Sequence, residues 1–159
     1  MNINIICIGK LKEKYWVDAC DEYMKRLRAY TGIKIIELKE AKLPKNASLK
    51  DESNVLKKEG RSILGKISED DFVITMEIEG KMLDSPEFSQ KIISIFEDRK
   101  STIDFIIGGS NGLSDAVKMR SDFAISFSKM TFPHQMARVV LLEQIYRAYK
   151  IANGETYHK

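Results

Sequence analysis

The sequence predicts an α/β fold, a mostly parallel sheet flanked by helices. Three observations carry that expectation. Short apolar runs alternate with longer amphipathic stretches along all 159 residues, the order that successive βα units produce. The run Ile103 to Ile107 is apolar apart from Asp104, as expected of a strand buried on both faces. No internal repeat, low-complexity run or linker interrupts the pattern, so residues 1–159 are expected to form a single domain.

Each element has its own local reason. Asn2 to Ile8 reads as a strand stopped by Gly9. Residues 12 to 30 read as a helix, because Tyr15, Trp16, Ala19, Tyr23, Leu27 and Tyr30 recur at three- and four-residue steps. Ile33 to Leu38 is a second strand, and the Pro44 region is a loop. Ser48 with Asp51 three residues on resembles a helix start, and an apolar stripe runs from Val55 to Ile67. Asp71 to Ile78 is a third strand, with Gly80-Lys81 as its turn. Ser85-Pro86-Glu87 opens a helix, with Ser85 as cap. After the strand at Ile103, Ser114 to Met119 is a short helix and Phe123 to Phe127 a fifth strand. Thr131 is expected to cap the last helix, with Pro133 in its first turn, and Gly154 to end it.

Bulk composition excludes several classes. The chain is 43% hydrophobic and 31% charged, which argues against disorder. A net charge of +3 falls short of a nonspecific nucleic-acid coat. Lys10, Lys12 and Lys14, and Lys25, Arg26 and Arg28, are read as solvated surface. Cys7 and Cys20 have no metal-ligand spacing and read as small buried hydrophobes in a reducing compartment. The run Ile3 to Ile8 is too short for a secretory core, and no segment is long enough to span a bilayer. A cytoplasmic location is expected, with no membrane association and no metal.

Ligands of parallel sheets bind beyond the carboxyl ends of the strands. Three such ends hold suitable residues: Thr75-Met76-Glu77, Ile107-Gly108-Gly109-Ser110-Asn111-Gly112, and Ser126 to Arg138. The glycines permit close backbone approach. They do not make a dinucleotide fingerprint, since Ile107 stands where a glycine is needed, and no Gly-Lys-Ser/Thr phosphate loop occurs. The second junction offers Ser128, Thr131 and free backbone N–H groups, with Lys129 to offset negative charge. Two junctions so close in sequence suggest one shared pocket. His134 is more often a structural hydrogen bonder than a catalyst. The last helix is apolar on more than one side and must bury more than one side; a symmetric partner or the protein's own sheet would cover it. The tail Tyr157-His158-Lys159 is able to stack on a base and contact phosphate, though such tails are often disordered.

The glycine loop, the run Phe127-Ser128-Lys129-Met130-Thr131-Phe132-Pro133-His134-Gln135, the segment Leu142-Glu143-Gln144-Ile145-Tyr146-Arg147-Ala148 and the ending Gly154-Glu155-Thr156-Tyr157-His158-Lys159 together resemble the RlmH family. These are SPOUT-class methyltransferases acting on a pseudouridine of 23S ribosomal RNA. The resemblance spans essentially the whole chain, including Gly9-Lys10-Leu11-Lys12 and Tyr15. It implies an α/β trefoil knot in the C-terminal part and a homodimer. It implies an S-adenosyl-L-methionine site built from Met76, Gly108, Phe127, Ser128, Lys129, Met130, Thr131 and Phe132. The product would be N3-methylated pseudouridine in the helix 69 loop, made on the assembled 70S ribosome. His158 and Glu143 are candidates to assist proton loss from N3, and Arg138, Arg147, Tyr157 and His158 are candidate RNA contacts. A transfer-RNA methyltransferase and a non-catalytic ribosome-binding factor are the competing readings.

Overall fold

A computed structural model describes residues 1–98 and 100–158; Lys159 of the tail motif lies outside them. Ten elements alternate along the chain: β1 (Asn2–Ile8), α1 (Lys14–Leu27), β2 (Gly32–Leu38), α2 (Leu49–Leu64), β3 (Phe72–Met82), α3 (Ser85–Glu97), β4 (Thr102–Ile107), α4 (Asp115–Arg120), β5 (Phe123–Ser126) and α5 (His134–Ala152). The five strands form one sheet in the order β2-β1-β4-β3-β5, and every pairing is parallel. The predicted α/β class is therefore observed.

Strand side chains alternate between two buried layers, as the pleat requires. Ile3, Ile5, Cys7, Ile103 and Phe105 join residues of α1, α3 and α5 on one face. Ile6, Ile8, Val73 and Ile106 pack with Ile63 of α2 and Val117 of α4 on the other. Helices on both faces explain why the central strands read as nearly continuous apolar runs. Both cysteines are free and buried.

Helix α5 lies against the sheet between α1 and α3. Leu141, Leu142 and Ile145 are fully buried, each contributing about 1.5–3 kcal/mol by burial. Its two-sided apolar character is thus met within the chain by the sheet and the two flanking helices. Met136, Val139 and Val140 stay half-buried.

Four local expectations are corrected. Gly80-Lys81 is no turn: β3 continues through it to Met82. Asp84, not Ser85, caps α3, accepting from the Glu87 N–H while Glu87 returns a bond to the Asp84 N–H. Thr131 does not cap α5; Pro133 occupies the cap position and no side chain bonds there. Strand β5 ends at Ser126 rather than Phe127. The Ser48–Asp51 capping box forms as expected.

Candidate active site

The carboxyl ends of β3, β4 and β5 meet at one place, and each leaves its strand by a different device. Beyond β4, the chain turns through Gly108 to Leu113. Gly112 has φ +81°, and its N–H donates to the Gly109 carbonyl at 3.1 Å. A Cβ on Gly108 would stand 2.7 Å from the Gly112 carbonyl oxygen, so only glycine fits.

Beyond Met76, β3 buckles. Met76 and Lys81 both pair with Ile125 of β5, so residues 77 to 80 leave the ladder and rejoin it at the same partner. Gly80 makes the return possible, since a Cβ there would lie 2.6 Å from the Ile125 carbonyl carbon. Inside the buckle, Glu77 accepts from the Thr75 hydroxyl at 2.7 Å and pairs with Lys118 at 3.5 Å.

Beyond β5, Ser126 to Pro133 form a structured loop. The Ser126 hydroxyl donates to the Ser128 carbonyl, and the Ser128 hydroxyl accepts from the Met130 N–H, both at 2.9 Å. Phe127 and Phe132 meet edge to face with centroids 6.4 Å apart. Because α5 begins without a side-chain cap, its first N–H groups remain available and its positive dipole end faces the loop.

The three ends enclose a cavity of about 490 Å³, within the range of small-molecule sites. Met76, Gly108, Phe127, Ser128, Met130, Thr131 and Phe132 all line it, so the expectation of one shared pocket holds in the geometry. Lys129 is exposed instead. Among the described residues, the lysine that lines the cavity is Lys118, which came from α4 and was missed because nothing in its local sequence marks it. His134 also lines this cavity.

A second cavity, of about 580 Å³, lies on the other side of a shared wall made by Ile125, Ser126, Phe127 and Phe132. Gln144 and His158 line this one. The two histidines therefore serve different cavities.

Helix α5 and the tail organise around Glu143. One of its oxygens accepts from Arg147 Nη2 at 2.6 Å, from Arg147 Nε at 3.0 Å and from the Tyr157 hydroxyl at 3.1 Å. The other accepts from Gln144 Nε2 at 2.7 Å. Four donors hold this carboxylate, which makes it an anchor for its neighbours rather than a free base. The Arg147 guanidinium lies 4.8 Å over the Tyr157 ring and 3.3 Å from His158 Nδ1. Burial, then the neighbouring Tyr23 and Glu143, push the Tyr157 phenol up to about 12, so it stays a donor to Glu143. Lys150 and the Tyr30 hydroxyl hold Glu155, which ties the tail to α5 and to the end of α1.

Arg138 departs from its expected role. It is 1% exposed and bonds Glu37 and the carbonyls of Ile8 and Gly9. Its guanidinium is turned inward, away from any phosphate. Among the described residues, no group of three or more His, Cys, Asp or Glu side chains is placed to hold a metal, and no helix is long and apolar enough to cross a membrane.

A wholly parallel sheet with a glycine-lined cavity at its carboxyl strand ends is the frame of an α/β ligand-binding site. A family model described as "Predicted SPOUT methyltransferase" matches residues 1–158, and the chain belongs to that family. It is 54% identical over 159 residues to the "Ribosomal RNA large subunit methyltransferase H" of Clostridium acetobutylicum, covering 100% of both chains. Among solved structures it is similar to "a probable methylase family protein from Haemophilus influenzae Rd KW20", with a TM-score of 0.54 and 15% identity over 99% of this chain and 70% of that one. That likeness concerns the fold.

Proposed function

We propose that this protein is a cytoplasmic, S-adenosylmethionine-dependent methyltransferase of large-subunit ribosomal RNA, acting on N3 of a pseudouridine in the helix 69 loop of 23S RNA within the 70S ribosome. The observation that carries the reading is the convergence of three strand ends on one cavity with uncapped helix N–H groups at its edge. The full-length relative named as a ribosomal RNA large subunit methyltransferase supplies the substrate class.

The cavity fits the cofactor on its own terms. Its volume suits a nucleoside with an amino-acid arm. Phe127, Met130 and Phe132 supply apolar surface. The peptide groups from Phe127 to Phe132, Lys129 included, offer main-chain polar contacts, and Met76 and Gly108 close the sides. Lys118 stands where a carboxylate is balanced. When bound, S-adenosylmethionine supplies an electrophilic methyl group on a sulfonium.

The protein's own residues then position the acceptor. N3 of the base sheds its proton as it attacks, and His158, which lines the second cavity, takes it. Glu143 acts beside it by fixing Arg147 and Tyr157, and Arg147 with Tyr157 forms a face for the RNA. Arg138 has no part in that face. We further propose one SPOUT domain over residues 1–159, knotted in its C-terminal part, and a homodimer that uses the half-buried Met136 and Val139 of α5.

Labelled S-adenosylmethionine supplied with ribosomes lacking the modification, and separately with bulk transfer RNA, tests the reading. Label is expected at the one pseudouridine. Label in transfer RNA alone, or cofactor-free binding to ribosomes without transfer, would overturn it.

A further inference from the structure

We infer that the second cavity receives the acceptor base and that Gln144 selects it, accepting a ring N–H through its Oε1. This rests on the proposed function and names the part of the site that reads the substrate.

The cavity adjoins the first through the Phe127 and Phe132 wall, so a group held in one is next to a group held in the other. Its surface is chiefly apolar, from Leu83, Phe88, Phe127, Phe132 and Val140. Among the described residues no lysine or arginine lines it. A phosphate would be left uncompensated there, whereas a flat neutral ring is well matched.

The polar groups have a fixed sense. Glu143 is a carboxylate and accepts only, so its 2.7 Å bond to Gln144 sets the amide with NH₂ toward Glu143. Gln144 Oε1 therefore faces Ser85, whose hydroxyl donates to it at 2.8 Å. With that proton committed, the wall presents acceptor lone pairs on both Gln144 Oε1 and Ser85 Oγ. Asp84 also lines the cavity, with one carboxylate oxygen accepting from the Glu87 N–H as the cap of α3. A wall of acceptors favours a ring edge that carries N–H.

Pseudouridine joins its ribose through carbon, which leaves N1 with a hydrogen that uridine lacks. With N3 directed at the shared wall, N1–H is the group left to meet Gln144. A site built to take that hydrogen leaves its acceptors unpaired when uridine is present, and this is where discrimination arises.

The experiment measures methyl transfer to ribosomes carrying pseudouridine or uridine at the target, with cofactor affinity followed by calorimetry. Gln144→Leu is expected to keep cofactor affinity and to lower the pseudouridine-to-uridine ratio of kcat/KM by about tenfold or more. Ser85→Ala is expected to lower the same ratio by a smaller factor. An unchanged ratio in a Gln144→Leu protein that binds cofactor overturns the inference alone. Should that variant fail to bind cofactor, an unchanged ratio in Ser85→Ala overturns it. Absence of transfer by the unaltered protein removes the proposed function and this inference with it.

Discussion

Arg138 and Glu37 stand 101 residues apart in sequence and 2.7 Å apart in the fold. Their bond joins the start of α5 to the end of β2. The same guanidinium holds the carbonyls of Ile8 and Gly9, where β1 ends, and the same Glu37 oxygen accepts from the Leu11 N–H at 3.0 Å. One ion pair therefore fixes three chain segments behind the candidate site. Removing the cation strands these acceptors in a buried place. Arg138→Ala is expected to destabilise the protein by about 2–4 kcal/mol, the lower end reflecting the partial exposure of Glu37. Chemical denaturation would show it as a lower midpoint with the slope unchanged; an unchanged midpoint would contradict the clamp.

Gly108→Ala places a methyl group 2.7 Å from the Gly112 oxygen. The Gly112 backbone and the Leu113 side chain beside it leave little room to yield. The glycine loop must open, and the cavity wall moves with it. The expected result is loss of S-adenosylmethionine affinity by tenfold or more, with destabilisation of about 1–3 kcal/mol. Calorimetry and thermal unfolding read the two separately.

Asp104 is fully buried. Burial raises its carboxyl, the bond from Asn4 opposes this, and the nearby Asp71 adds to the rise, leaving it at about 6. In the unfolded chain it titrates near the ordinary aspartate value. The folded state therefore holds the extra proton between about 4 and 6, and stability falls as pH rises through that window. Asp104→Asn keeps an acceptor for Asn4 and removes the buried charge. Its unfolding free energy is expected to be higher than the parent's above pH 6, by about 2 kcal/mol, and to lack the parent's slope between pH 4 and 6. A steeper slope in the variant would refute this assignment.

Deleting residues 154 to 159 removes Glu155, Tyr157 and His158 but touches no residue of the first cavity. Cofactor affinity should persist. Turnover on ribosomes should drop by about a hundredfold or more, the scale set by losing a proton acceptor and a positioning contact together. Full turnover would show that the tail is dispensable.

The strand and helix order was legible because periodicity reports burial directly, and this chain has helices on both faces of one sheet. Caps were legible where two side chains cooperate locally, as at Ser48 and Asp51, and misread where a neighbour competes, as at Asp84 and Ser85. The cavity lining was legible for Met76, Gly108 and the loop after β5, which share the carboxyl ends of three strands. Lys118 was not, because a lysine on a short helix has the same local signature whether or not it faces a cavity. Arg138 was misplaced for a related reason. The resemblance implied an RNA contact for it, and only the long-range approach of Glu37 and of the Ile8 and Gly9 carbonyls shows its guanidinium turned inward. Asp104 was assigned no role inside its apolar strand, although a carboxylate in that setting is the clearest sign of a buried polar partner, here Asn4 on the adjoining strand.

The buckle in β3 has a consequence for how such a site is altered. The chain leaves β5 at Met76 and comes back to the same residue, Ile125, at Lys81. The ladder on either side therefore does not count the residues between. Lengthening or shortening residues 77 to 79, with Gly80 kept at the return, would change the depth and rim of the cavity and leave the register of the sheet as it is. Most insertions in a parallel strand would shift every side chain beyond them to the opposite face; here the fold carries its own expansion joint.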